Sequence, residues 1–527
     1  MGASPAQAGF AFLVLGTALV IGKLIRMNVH WVQRLFLPSS IVGGFILLAL
    51  GPDGIGRIFG GRWAAAGIYT PQLLAVMRAL PGLLISVVFA TMFLGQNLPS
   101  PRKALKLAGP QVSLGFVYGS SQYVFGILLF MLFVTPVFGA PPVFAALVEI
   151  GFEGGHGTAA GMRPVFDQLG FPQGGDLAVA VATFGLVFGV VLGILFINWG
   201  TRTGKTEIVK GEAAQLSKDE QRGLFARDEH YPHAGHLSVR PASIEPISLH
   251  AAVVCLSILV GWLMLELLRW IENMTWGRHI LQDGVPLQLF RFLPLFPMAL
   301  IGGVLVQRLA RAFGLDYLLD PAMMLRIQGL ALDFLIVSAI GSMSMGYIAQ
   351  YLPVFLIVCL IGTVGNVLIF FVLTPRLIGR FWFERGIADF GQSMGVTATG
   401  LMLLRIVDPE YASPAFNAFG IKQLIFEPFY GGGLVTALSV PLIFFFGPVP
   451  FLIANTIVFL VALIWGLVKF GGQAKREHAA RLAGVPYTRY LNAGWDSPDG
   501  TLDPEFPVDE SELLDANIAT WDGVSTA

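Results

Sequence analysis

Two glycine-rich segments carry most of the side chains that could bind a ligand. The first reads Glu153-Gly154-Gly155-His156-Gly157-Thr158-Ala159, and the second reads Gly395-Val396-Thr397-Ala398-Thr399. Glycine lets the backbone turn sharply and approach a ligand closely, and small residues that open a helix leave free N–H groups that attract a carboxylate. The pattern predicts a site for a small zwitterion or dicarboxylate, with Na⁺ on hydroxyls and carbonyls near Thr158 and Thr397.

Both segments also admit a purely structural interpretation. Small residues spaced four apart let membrane helices pack closely without any ligand. His156 would titrate near neutral pH in a proton-coupled mechanism, but it could equally be a neutral hydrogen-bonding post for its segment. The sequence leaves these alternatives open.

Carboxylates inside apolar segments are the next candidates, because a charge inside a membrane is costly and tends to be functional. Glu153 lies beside the glycines and is the strongest candidate for ion coupling, and Glu149 and Asp389 lie in the same two segments. Glu427 and Asp333 fall near predicted helix starts, which favours a plain interfacial role for both.

The composition places these segments in a membrane protein. The chain of 527 residues is 55% hydrophobic and 13% charged, a balance that a soluble domain of this size does not show. Its net charge is zero, so there is no basic field for nucleic acid. A nucleophile with a base, a metal-ligand cluster and a cofactor motif are all missing from the sequence. We therefore expect a non-enzymatic protein whose partners are lipid, a small molecule and Na⁺ as coupling ion, with no cofactor.

Apolar stretches predict an all-α polytopic fold with eleven spans, since about 17 to 25 apolar residues cross a bilayer. Their approximate limits are 8–25, 34–50, 79–96, 110–136, 176–199, 248–270, 288–306, 330–349, 352–375, 428–446 and 450–469. The glycine-rich stretches at about 143–168 and 385–406 are interrupted by polar residues. They are predicted to be re-entrant hairpins, because irregular backbone at membrane depth survives only inside protein or around a cavity.

Loop charges predict the orientation. Lys and Arg residues follow every odd-numbered span, which places those loops in the cytoplasm. The N-terminus is then outside the plasma (inner) membrane, and both the linker at 201–246 and the tail at 470–527 are cytoplasmic.

Self-similarity predicts two inverted repeats. The stretch Pro38 to Gly44 recurs as Pro297 to Gly303, and Gln122 and Asn366 occupy equivalent mid-span positions. Five spans per repeat is an odd number, so the second copy lies upside down relative to the first. The two amides suit either an ion site or an interhelical hydrogen bond. The organisation is then given by a first repeat at 1–200, a linker at 201–246, a second repeat at 247–446, an extra transmembrane helix at 447–469 and a tail at 470–527.

The segment Glu153 to Ala160, followed by Ala182-Thr-Phe-Gly-Leu-Val-Phe-Gly189, resembles the bacterial sodium:glutamate symporter family. That family has a Gly-Gly-His-Gly-Thr hairpin followed by an Ala-Thr-Phe-Gly-Leu-Val span. Gly395 to Thr399 is similar in order and spacing to the Gly-Ala-Thr-Pro-Thr of its second hairpin. The resemblance covers residues 8–446 and implies Na⁺-coupled uptake of an acidic amino acid, a homodimer, and a transport domain carrying both hairpins that moves against a scaffold.

Three positions depart from the family pattern. Glu153 stands where a small hydroxyl residue is usual, Ala398 replaces a proline, and Leu403 replaces an asparagine. An added carboxylate repels an acidic substrate or binds a cation in its place. The sequence predicts a Na⁺-coupled symporter of glutamate or a related small organic anion that works by alternating access. Its rivals are a proton-coupled or antiporting carrier of the same fold with another substrate, and a channel or sensor that has lost coupling.

Overall fold

The computed structural model describes residues 4–56, 69–96, 101–209, 218–225, 233–279, 286–409 and 411–482, and the elements in this part are helices. The first half contains α1 (Pro5–Asn28), α2 (Ser39–Leu50), α3 (Pro71–Thr91), α4 (Pro101–Leu129, continued to Phe138), α5 (Pro142–Phe152), α6 (Gly155–Gly161), α7 (Arg163–Gln168) and α8 (Pro172–Arg202). The second half contains α9 (Pro246–Met274), α10 (Leu295–Ala312), α11 (Pro321–Gly341), α12 (Leu352–Leu377), α13 (Trp382–Val407), α14 (Ala415–Phe426), α15 (Leu434–Phe446) and α16 (Pro448–Leu482). Short helical turns lie at His30–Arg34, Lys218–Arg222, Asp316–Leu318 and Met345–Gln350.

Within the described ranges, nine helices are long and apolar enough to cross a membrane: α1, α3, α4, α8, α9, α10, α11, α12 and α16. The shorter helices α2 and α15 contain 12 and 13 residues. Together these eleven helices fall where the sequence predicted eleven spans. The expectation of an all-α polytopic membrane protein is therefore confirmed.

Helix starts differ from the hydropathy limits, because caps set them. Helix α3 begins at Pro71 rather than near 79, since the Thr70 side chain accepts a hydrogen bond from the N–H of Leu73. Helix α11 begins at Pro321 rather than near 330, since the Asp320 side chain accepts from the N–H of Met323. A capping oxygen followed by proline fixes a helix start whatever the hydropathy of the first turn.

The predicted span at 428–446 is helical only from Leu434, where α15 begins. Helix α14 precedes it and is separated from α15 by the linker Glu427–Gly433. Gly431 and Gly432 have φ values of 69° and 108°, a backbone region that favours glycine. Helix α16 is also longer than predicted, because it continues from 469 to Leu482 and includes the basic start of the predicted tail. The remainder of that tail, 483–527, lies outside the described residues.

The helices pack as two groups. Group A consists of α1, α2, α3, α9, α10 and α11, and group B consists of α4 to α8 and α12 to α16. Helix α6 of group B contacts α3 and α11 of group A. Side chains added at Gly157 or Gly161 of α6 would meet Ile85 of α3, so these glycines allow the two groups to approach closely.

Candidate functional site

Two interruptions of helical segments, called breaks below, meet within group B. The first broken segment, Pro142–Gln168, is interrupted between α5 and α6 at Glu153 and Gly154. The second broken segment, Trp382–Val407, is interrupted at Gly395 and Val396. Gly155 has a φ of 65°, and a Cβ there would overlap with Cγ1 of Val396. The contact of the two breaks thus depends on glycine at position 155.

Val396 is held in an unusual backbone conformation at this contact. Its φ of 63° and ψ of 173° lie in a region that essentially only glycine adopts. Such strain persists only where the surroundings enforce it, and it clusters at ligand sites. The side chain of Ala398, two residues further on, is exposed, so the second break opens to the outside of the packed core.

The two predicted amides join at the second break. Gln122 of α4 donates from Nε2 to Oδ1 of Asn366 in α12 at 3.3 Å. Both amides donate to the carbonyl oxygen of Ser393, at 2.9 Å from Gln122 and 2.6 Å from Asn366. Because Gly395 and Val396 leave the helical geometry, the helix does not supply this carbonyl with its usual N–H donor four residues ahead. The two amides take the place of that donor.

Thr397 is bonded to the end of α14. Its hydroxyl donates to Oε1 of Glu427 at 3.0 Å, and the amide of Gln423 donates to the same oxygen at 2.8 Å and to the Thr397 hydroxyl. Glu427 is buried here, so the prediction that it opens a helix at the membrane interface is wrong. The error arose because α14 was not predicted. Thr399 donates back to the carbonyl of Gly395 and steadies the same break.

His156 attaches the first broken segment to α8. Its Nε2 lies 3.0 Å from Oγ1 of Thr183, and the Thr183 hydroxyl donates its proton to the carbonyl of Val179 at 2.9 Å. The single hydroxyl proton is therefore used, so Nε2 carries the proton that is donated to Thr183. This geometry fits a neutral hydrogen-bonding post.

Glu149 is fully bonded and holds the first broken segment to the linker Glu427–Gly433 and to α15. Its Oε1 accepts from the N–H of Gly431 at 2.8 Å and from the hydroxyl of Thr436 at 2.7 Å. Its Oε2 accepts from the hydroxyl of Tyr123 at 2.6 Å. Because three donors bond to its carboxylate, Glu149 has a structural role rather than a ligand-binding one.

Thr158 lies at the C-terminal end of the linker Glu427–Gly433, whereas Thr397 contacts its first residue. Its hydroxyl is fully buried, has no hydrogen-bond partner, and lies where a side chain on Gly432 would fall. The two threonines proposed for Na⁺ therefore contact the Glu427–Gly433 linker at different ends. Gly154, Gly157 and Ala159 are packed against neighbouring side chains or fully buried, which suits a close-packing role.

Like Asp389, whose carboxylate has an ion pair with Lys422 but accepts no hydrogen bond, Glu153 is a buried carboxylate without hydrogen bonds. It is 3% exposed, and neither carboxylate oxygen has a hydrogen-bond partner. The groups that interact with it electrostatically include Lys422 of α14 and Asp389 of the second broken segment, and it lies beside the Ser393 hydroxyl. A buried charge without a bonded partner is unfavourable unless a cation or proton joins it.

Lys422 was missed by the sequence reasoning. Its ammonium group lies 3.1 Å from Oδ1 of Asp389, and both side chains are almost completely buried. The available signal was a single lysine within an otherwise apolar stretch, but that stretch fell between predicted spans. Asp333, by contrast, lies in the interior of α11 and does not open a helix as predicted.

Comparison with known proteins adds an independent observation. The family model described as sodium/glutamate symporter matches residues 7–413. The chain is 24% identical over 425 residues to a protein named sodium/glutamate symporter from Escherichia coli, covering 79% of this chain and 92% of that protein. A protein of the same name from Haemophilus influenzae is 23% identical over 433 residues, covering 77% of this chain and 90% of its own length.

Proposed function

The chain belongs to the sodium/glutamate symporter family, and we propose that it is a Na⁺-coupled symporter of glutamate or a related small organic anion. The observation that supports this proposal most strongly is the direct contact of the two broken segments at Gly155 and Val396, beside the unpartnered carboxylate of Glu153. Secondary transporters bind substrate and coupling ion where discontinuous helices meet.

The substrate and the ion would bind around these breaks. We assign substrate contacts to Gly154–Ala159 and to Gly395, Thr397, Ala398 and Thr399. Glu153 supplies an oxygen pair with no other partner, as a cation requires, while Gln122 and Asn366 fix the second break through the Ser393 carbonyl. The hydroxyls of Thr158 and Thr397 are further oxygen ligands within the same region.

Glycine contacts support two inverted repeats. Gly22 of α1 lies against the carbonyl of Ser39 in α2, and Gly261 of α9 lies against the carbonyl of Met298 in α10, the residue that corresponds to Ser39 when Pro38 is paired with Pro297. Gly44 packs against Ile340 of the second copy. Gly303 packs reciprocally against Ala90 of the first copy. Reciprocal contacts of this kind are expected when two copies are related by a pseudo-two-fold axis.

A second correspondence between the halves lies in α4 and α12. Each helix contains a π turn, at Phe130–Val134 and at Ile369–Leu373, and each π turn is followed directly by Thr-Pro. π turns are rare and occur mostly as single insertions in helices, so their recurrence directly before Thr-Pro in both helices favours repeats. The broken segments follow these helices and would be re-entrant hairpins of opposite direction.

Alternating access would move group B against group A. Both broken segments and the residues around Glu153 belong to group B, so the site would travel as a unit. The interface is lined in part by Gly157 and Gly161 of α6, which removes side chains that would obstruct sliding. In the proposed topology the N-terminus is outside the plasma membrane and the tail is cytoplasmic. The protein is proposed to be a homodimer.

Uptake into proteoliposomes tests the proposed function. Radiolabelled glutamate should accumulate when an inward Na⁺ gradient is imposed and should not accumulate when choline replaces Na⁺. A Glu153→Ser variant, measured in parallel, tests the assignment of the cation ligand, because loss of its carboxylate should raise the Na⁺ concentration needed for half-maximal uptake. Absence of Na⁺-stimulated uptake by the native protein, across glutamate and related anions, would contradict the proposal.

The same carboxylate favours one alternative. A proton on Glu153 would also neutralise the unpartnered group, which suits a proton-coupled carrier of the same fold. In that case an imposed proton gradient would drive uptake fully in Na⁺-free buffer.

A further inference from the structure

Lys422 is placed so that its ammonium group can reach more than one carboxylate. The side chain passes Gly115 of α4, where an added Cβ would lie 3.0 Å from its Cδ. Its ammonium group forms an ion pair with Asp389 at 3.1 Å and donates a hydrogen bond to the amide oxygen of Gln392. The aromatic rings of Phe419 and Phe426 face the ammonium at 4.7 and 5.0 Å. A four-carbon stem with a compact charge can turn within such a site without moving the backbone.

Glu153 is the second carboxylate within electrostatic reach of Lys422. Neither carboxylate accepts a hydrogen bond, and they differ in that Asp389 has the ion pair with Lys422 whereas Glu153 has no ion pair. Asp389 has other support, because Arg385 also interacts with it. A shift of the ammonium from Asp389 towards Glu153 would therefore leave neither carboxylate without a cationic neighbour.

Charge balance shows what such a shift would achieve. Arg385 and Lys422 carry two positive charges, and Asp389 and Glu153 carry two negative charges, so these four groups sum to zero. Glu427 also interacts with Lys422, but its carboxylate already accepts hydrogen bonds from Thr397 and Gln423. A cation bound at Glu153 satisfies that carboxylate directly. Once the cation leaves, the carboxylate is buried and unpaired, which strongly disfavours any movement through a low-dielectric environment.

We propose that Lys422 is an internal counter-ion that neutralises Glu153 when the site is empty, so that the unloaded carrier can change conformation without a bound cation. The proposal rests on the proposed function, since only a carrier that returns empty needs such a group. In the loaded state the cation occupies Glu153, and Lys422 remains on Asp389. In the empty state the ammonium is shared with Glu153 and the carrier returns.

Separate measurement of net uptake and exchange tests this role in proteoliposomes. Net uptake needs the empty carrier to return, but exchange of external radiolabelled glutamate against internal unlabelled glutamate, with Na⁺ on both sides, does not. Lys422→Met should lower Na⁺-driven net uptake by at least about tenfold and leave exchange within about threefold of the native rate. Lys469→Met, at an exposed position on α16, should change neither rate. An equal fall in both rates, or no fall in either, would overturn the proposal.

A double variant separates this role from structural support of Asp389. Asp389→Asn with Lys422→Met removes the buried pair together, which costs much less than removing one partner. If Lys422 serves only Asp389, this double variant should recover net uptake, and the proposal would be wrong. If Lys422 neutralises Glu153, the double variant should fold and exchange glutamate but still fail in net uptake.

A Na⁺ titration of thermal stability distinguishes failure of this inference from failure of the proposed function. In detergent, the double variant should be stabilised at a Na⁺ concentration about tenfold lower than the native protein, because Lys422 no longer competes for Glu153. Equal midpoints would overturn the role of Lys422, whatever substrate the native protein carries. If the two midpoints differ as expected but the native protein takes up no glutamate, the role of Lys422 as counter-ion stands and only the assigned substrate is wrong.

Discussion

The contact between Gly155 and Val396 gives the sharpest structural prediction. A Gly155→Ala substitution places a Cβ against Cγ1 of Val396 and puts alanine in a left-handed conformation. The left-handed conformation of alanine at position 155 costs about 1–2 kcal/mol. The overlap with Val396 adds to this cost, because positions 155 and 396 lie in breaks that have little freedom to move. The variant should therefore unfold at a lower temperature in detergent and transport more slowly.

Val396→Gly should remove the overlap and the strain at position 396, but not the cost of the left-handed conformation at position 155. Glycine adopts the conformation of residue 396 without strain, which recovers about 1–3 kcal/mol, and it removes the atoms that the new Cβ would meet. Val396→Gly should therefore stabilise the Gly155→Ala variant by more than it stabilises the native protein. The measurement is a double-mutant cycle of unfolding temperatures, with initial uptake rates recorded on the same preparations. Effects that add within about 0.5 kcal/mol would refute the direct contact of the two breaks.

Two further substitutions test the packing around the site. Arg163→Met should destabilise the protein by up to about 3–5 kcal/mol, because the buried carboxylate of Asp176 loses its partner at 2.7 Å and keeps only the longer ion pair with Arg78, at 3.9 Å. Adding Asp176→Leu should recover most of the loss in thermal unfolding. Gln122→Ala and Asn366→Ala should each cost about 1 kcal/mol, whereas the double variant should cost clearly more than their sum, since only then is the carbonyl of Ser393 left buried without a donor. Simple additivity of the two amide variants in the same unfolding assay would show that they do not share that acceptor.

The sequence indicated where the chain would break but not how the breaks are held. Glycine clusters at 154–157 and at 395 mark both turns, because glycine has few other uses in a membrane helix apart from close packing. Val396 shows the limit of this reasoning, since a β-branched residue predicts extended or helical backbone. Its conformation depends on partners that are distant in sequence, among them Gly155 and the amides of Gln122 and Asn366.

Lys422 and Glu427 show a different limit. Hydropathy finds stretches that lipid can surround, and α14 is not such a stretch because it carries a lysine, a glutamine and a flanking glutamate. Its charges are tolerated because Asp389 and Thr397 meet them inside the protein. A single sequence does not report such tertiary partners, so neither α14 nor the linker Glu427–Gly433 was predicted.

The starts of α3 and α11 differ from the predicted limits of their spans for a local reason that is present in the sequence. The pairs Ser4-Pro5, Thr70-Pro71 and Asp320-Pro321 each place a capping oxygen before a proline, and each marks the start of a described helix. Caps contribute about 1 kcal/mol and decide the first turn even where polar residues lower its hydropathy. Combining caps with hydropathy would have placed α3 and α11 correctly.

Simultaneous measurement of radiolabelled Na⁺ and glutamate fluxes tests the central claim most directly. The proteoliposomes should be clamped at zero proton gradient, so that any accumulation must be driven by Na⁺. We predict that glutamate or its analogue enters only with Na⁺, and that Na⁺ entry through the protein rises in fixed proportion to substrate entry. Substrate uptake that is independent of Na⁺, or Na⁺ entry that is independent of substrate, would contradict the account of a coupled symporter.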